Sequence, residues 1–167
     1  MSAEDIVLVG ALVFMLGLAF FASHFVINTM YDNMLNNTVL NQTAEVRQVL
    51  NAGKTISNQM DYVTFAVFIG LVLGIVITAW FIGGNTLFTV FYFFVWIIAV
   101  FLSAIFSNTW QTVSQASIFG GTIASFPITN NILTNLPIYI TVVGFLGIIA
   151  MFAKPYFAGS GGGDIAY

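Results

Sequence analysis

The chain has 167 residues, 59% of them hydrophobic and 5% charged, and a formal net charge of −3 from six acids and three bases. A soluble domain is roughly a quarter charged, so these few charged side chains exclude a water-facing exterior, and three bases exclude the clustered Lys/Arg footprint of a nucleic-acid binder. The absence of cysteine excludes disulfides, thiolate metal sites and cysteine nucleophiles.

The first apolar run, about residues 6–27, is long enough to span a bilayer, whose hydrocarbon core of ~30 Å needs about twenty helical residues. Glu4 and Asp5 precede it. An acidic start and a long run do not match a cleavable signal peptide, which has a basic start and a short core. His24 lies near the end of the run and is the only histidine. It reads as an interfacial side chain.

Residues 28–60 are polar and contain no proline. Leu35, Val39, Gln42, Val46, Val49, Gly53, Ile56 and Met60 follow one another in alternating steps of four and three, the heptad spacing. The pattern predicts one long polar amphipathic helix between spans one and two, with a weak point at Asn36-Asn37 because Asn is a poor helix former. The helix could project as a stalk or lie on the membrane surface. Surface helices carry basic polar faces, and only Arg47 and Lys54 are present here, which favours contact with a protein. Leu35, Val39, Val46, Val49, Ile56 and Met60 are the candidate contact residues.

Span two, about 62–82, contains Gly70-Leu-Val-Leu-Gly74. Glycines one turn apart let another helix backbone come close in lipid. Trp80 suits the headgroup level near the end of the span. Gly83-Gly84-Asn85 reads as a tight turn, and span three follows over about 86–106 with a dense set of aromatic residues.

The stretch 107–135 is polar but uncharged and reads as an interfacial segment. It has Trp110 as a headgroup anchor and a short helix from Trp110 to Phe119. Span four, about 136–153, opens on Leu136-Pro137, with proline suited to a first helical turn. Gly144 and Gly147 offer close-packing positions. Lys154 can snorkel to headgroups at the exit, Pro155 ends the helix, and the tail 155–167 reads as flexible.

The expected fold is therefore all-α: one polytopic membrane domain with about four transmembrane helices and both termini on one side. Arg47 and Lys54 accompany the two long polar segments and Lys154 accompanies the termini, so the weak basic bias places the polar segments on the cytoplasmic side. Transport normally requires polar or ionisable groups along a membrane pathway. Here there are only scattered Ser and Thr and the lone His24. No HExxH or GxSxG pattern occurs, and Asp61 reads as a solitary acid at a membrane edge, so neither an enzyme nor a cofactor is expected.

The ending Asn130-Asn131-Ile-Leu-Thr-Asn135-Leu-Pro137, a final span, Lys154 and a short tail resembles the minor membrane proteins of tailless icosahedral viruses with an internal membrane, of the corticovirus, tectivirus and finnlakevirus kind. The resemblance covers the last third of the chain. It implies a virion protein that ties a lipid vesicle to a capsid shell, with capsid or other membrane proteins as partners in a homo- or hetero-oligomer. The membrane would be the virion's internal membrane or the host cytoplasmic membrane. Two other classes stand beside it: a holin-like or channel-forming protein, and a small structural subunit of a cellular membrane complex. Holins commonly carry a basic tail, whereas no base follows Lys154.

Overall fold

The computed structural model describes residues 4–37, 43–82, 86–119 and 121–158. Among these there is no strand. The elements are α1 (Glu4–Leu35), α2 (Ala44–Ile82), α3 (Thr86–Ser114), α4 (Pro127–Thr134) and α5 (Leu136–Ala158), with single 3-10 turns at Ser117–Phe119 and Ile123–Ser125. Four helices are long and apolar enough to cross a membrane, over Ile6–Leu35, Ala44–Phe81, Leu87–Ser114 and Leu136–Ala153.

These four run alternately up and down. His24 meets Ser57 and Tyr31 meets Asn51, so α1 and α2 are antiparallel. The Trp96 indole N–H donates to the Ile140 carbonyl, and the Tyr92 hydroxyl donates to that of Gly144, which makes α3 and α5 antiparallel too. Phe14 stacks on Phe106 and Phe21 meets Trp110 edge-on, which aligns α1 with α3. Neighbours around the bundle run α1, α2, α5, α3, and α4 touches all four at the end away from the termini.

The polar stretch 28–60 is not one helix. Its first part is the end of α1, its last part is the start of α2, and the chain reverses between Leu35 and Ala44. Helical hydrogen bonds persist only to Asn36 N–H on Asp32 and Asn37 N–H on Met34. The heptad series does not mark the α1–α2 contact, since its members Val49 and Ile56 are exposed. Tyr31 donates to Asn51 Oδ1 at 3.0 Å, and the Lys54 ammonium sits 4.3 Å from the Tyr31 ring centre. At ~1.5 Å per residue, α1 extends roughly 16 Å beyond His24 and α2 roughly 25 Å beyond Asp61, so the pair forms a polar helical hairpin.

Close packing is concentrated between α3 and α5. A Cβ on Gly144 would overlap the Trp96 ring, and one on Gly147 would overlap the Tyr92 hydroxyl. On α1, a Cβ on Gly17 would come within 2.7 Å of Leu133. Gly70 and Gly74 differ: nothing within the chain lies within 4 Å of a Cβ at either. The outer faces carry exposed Phe88, Phe91, Phe94, Phe101 and Phe145, as a lipid-facing surface should.

Helix α5 continues through Pro155 to Ala158, so proline does not end it as the sequence suggested. Pro155 falls in the last turn. The Gly83–Asn85 turn, Val39, the Lys154 side chain and the tail from residue 159 lie outside the described residues.

Candidate functional site

A set of buried polar side chains lies where α4 enters the bundle. On α1, His24 is fully buried. Its Nε2 accepts a hydrogen bond from Asn28 Nδ2 at 2.6 Å, and its Nδ1 lies 2.6 Å from the Ser57 hydroxyl on α2. With Nε2 accepting, a neutral ring carries its proton on Nδ1 and donates to Ser57. His24 and Asn28, like Ser57 and Asp61, are one helical turn apart, so each helix contributes two groups to the shared seam. The Phe126 ring packs edge-on against His24, with centres 4.7 Å apart.

Asp61 is one turn deeper on α2 and is 3% exposed. Its carboxylate accepts the backbone N–H of Ile128 at 3.0 Å and of Thr129 at 2.7 Å. These N–H groups belong to the first turn of α4, which have no partner within the helix. Phe126, the residue before Pro127, provides no side-chain cap. Asp61 therefore caps α4 from another helix, at the end where the helix dipole favours negative charge.

Trp110 completes the set. It is fully buried, meets Phe21 edge-on and donates its indole N–H to Asn130 Oδ1 at 2.9 Å. Ser107 donates to the Thr134 carbonyl, one of the last carbonyls of α4. The polar start of α4 is thus held by Asp61 and its end by α3. Thr129 Oγ1 and Asn28 Oδ1 are buried without a hydrogen-bond partner.

Three sequence readings change here. Trp110 is a core residue rather than a headgroup anchor, because α4 covers it. The 107–135 segment is partly drawn into the bundle: α3 continues to Ser114, and Phe126, Thr129, Ile132 and Leu133 are buried between the helices. His24 and Asp61 are buried inside the protein rather than solvent-facing. Of the candidate contact residues, Leu35, Val46 and Met60 are half-buried, whereas Val49 and Ile56 are exposed. Trp80, also exposed, lies near the end of α2.

Ser57 beside His24 is the residue pair that nucleophilic hydrolysis uses. Both are fully buried, and Asp61 spends its oxygens on α4 instead of orienting the imidazole. As arranged, the pair ties α1 to α2. A cycle of His24→Ala, Ser57→Ala and the double variant should give a coupling near the ~0.6–1.7 kcal/mol measured for hydrogen bonds between membrane helices. Reversible unfolding in mixed micelles measures it, and a coupling of zero would contradict the tie. No group of three or more His, Cys, Asp or Glu suited to a metal occurs among the described residues. An outer groove of ≈ 370 Å³ between α2 and α4 is lined by Phe65, Phe68, Ile128 and Ile132, with Asn131 and Tyr139 at its polar edge.

The fold and these sites define a helical polytopic membrane protein with a short polar helix, α4, capped from within the bundle. Comparison with protein families, curated proteins and solved structures finds no match to this chain.

Proposed function

We propose that this is a structural membrane protein of a virion, holding an internal lipid membrane against a capsid shell. The observation that carries the reading is the α1–α2 hairpin. Its two arms continue two membrane helices without interruption, so a load on either arm passes directly into the bundle. Its surface is polar, with Asp32 and Glu45 balanced by Arg47 and Lys54, and exposed Val49 and Ile56 are suited to protein contact. Phe119 packs on Phe21 and Phe25 at its base, which braces it against the chain between α3 and α4. The buried polar groups are spent on holding helices together, which supports a scaffold over a transport pathway or a catalytic centre. The resemblance of residues 130–137 and the Lys154 ending to minor membrane proteins of internal-membrane viruses supplies the virion setting.

Mass spectrometry of purified particles tests the proposal. The protein should be found in the particle and should remain with the lipid vesicle when the capsid is removed. Absence from the particle overturns it. Collapse of membrane potential on induced expression would instead favour a channel-forming protein.

A further inference from the structure

We infer that a second copy of this chain docks along α2, forming a parallel two-fold pair through one heptad seam that passes from water into lipid. The seam is the face of α2 opposite its buried stripe. Asp61, Phe68 and Ile75, seven residues apart, point into the bundle. Half a turn away, positions from Val49 to Ile77 recur in steps of three and four, and each is exposed. In the hairpin they are Val49, Ala52, Ile56 and Gln59. In the membrane they continue through Val63, Ala66 and Gly70 to Leu73 and Ile77. This register differs from the one that packs α2 on α1. At ~1.5 Å per residue the seam is roughly 42 Å long.

Lipid can cover its membrane half, but not its outer half. Val49 is 71% exposed and Ile56 is 61% exposed, and they occupy equivalent heptad positions on a helix with far more residues than a bilayer crossing requires. Burying such side chains is favourable, and an identical helix offers the matching face. A second copy inserted with the same topology brings its seam to the same depth and direction, so a two-fold axis along the membrane normal sets every residue opposite its twin.

A seam that meets itself must carry no charge, since like charges would face each other. Arg47, Lys54 and Asp61 of α2 lie off it, Glu45 falls at the next heptad position beyond its start, and Val49 to Ile77 has none on it. Gln59 lies where the seam enters the membrane. Paired with its twin, the side-chain amide can hydrogen-bond across the axis and fix the register, as single polar core residues do in coiled coils. Ala66 and Gly70 then allow close backbone approach within lipid. The strict seven-residue repeat implies a left-handed supercoil. The pairing stands whether or not the chain is a virion protein.

Cysteine cross-linking tests it directly, because the chain has no cysteine of its own. Single variants Val49→Cys, Ala52→Cys, Ile56→Cys and Val63→Cys are compared with Asn58→Cys and Phe65→Cys, whose positions are exposed but flank the buried stripe instead of the seam. Each full-length protein is reconstituted alone in phospholipid vesicles at high lipid-to-protein ratio and mildly oxidised. The seam variants should give several-fold more disulfide-linked dimer than the off-seam pair, and adding Gly70→Leu to Ile56→Cys should reduce the yield towards the off-seam level. Equal yields on and off the seam overturn the proposal. So does the absence of dimer at every position in protein that keeps its helical circular dichroism, or a yield unchanged by Gly70→Leu.

Discussion

Asp61→Leu should destabilise the bundle by about 3–5 kcal/mol, since each buried N–H left unpaired costs roughly 1–3 kcal/mol. Two N–H groups, of Ile128 and Thr129, lose their acceptor together. The Thr129 group is buried and that of Ile128 half-buried. Asp61→Asn keeps an acceptor oxygen, and Asn caps helices about as well as Asp, so it should lose only about 1 kcal/mol. Unfolding in mixed micelles followed by circular dichroism measures both. Similar losses for Asn and Leu would show that the charge matters rather than the cap. Wild-type stability for Asp61→Leu would show that α4 does not depend on it.

Trp110→Ala should cost about 3–5 kcal/mol, the range for removing a large buried aromatic side chain. It would open a cavity beside Phe21 and remove the shorter of the two hydrogen bonds that Asn130 Oδ1 accepts, leaving the 3.4 Å one from Thr134. Trp110→Phe keeps most of the ring volume and loses mainly the hydrogen bond, so a loss near 1 kcal/mol is expected. The same unfolding measurement decides. A loss within ~0.5 kcal/mol for the alanine variant would match an exposed position and return Trp110 to the headgroup region.

The four spans were legible because lipid demands long uncharged runs, and the chain has four. The hairpin was not. Its reversal contains no proline, and the apolar spacing on each side joins into one apparent heptad series across Val39 and Gln42. His24 and Ser57 are 33 residues apart, and only that reversal brings them together. Trp110 follows an apolar run, as headgroup anchors do, and the helix that buries it is half polar. One signal for Asp61 was available. Pro127 marks a helix start, yet Phe126 before it cannot cap, so the helix needs an acceptor from elsewhere. Asp61 was the acid without an assigned role. The glycines divide in the same way. Spacing alone marked Gly70, Gly74, Gly144 and Gly147 as equal, but only the last two have rings of the same chain against them.

The capped α4 also sets an order of events during synthesis. Four of its eight residues, Thr129, Asn130, Asn131 and Thr134, are polar, so it has little tendency to enter lipid unaided. Its acceptor Asp61, its partner Trp110 and the wall formed by Gly17 all belong to helices made earlier. The first three spans must therefore be inserted and paired before α4 can settle between them, and α5 follows it across the membrane. The short α4 is admitted by the protein already assembled rather than by the bilayer, so damage to the early helices should appear as failed docking of α4.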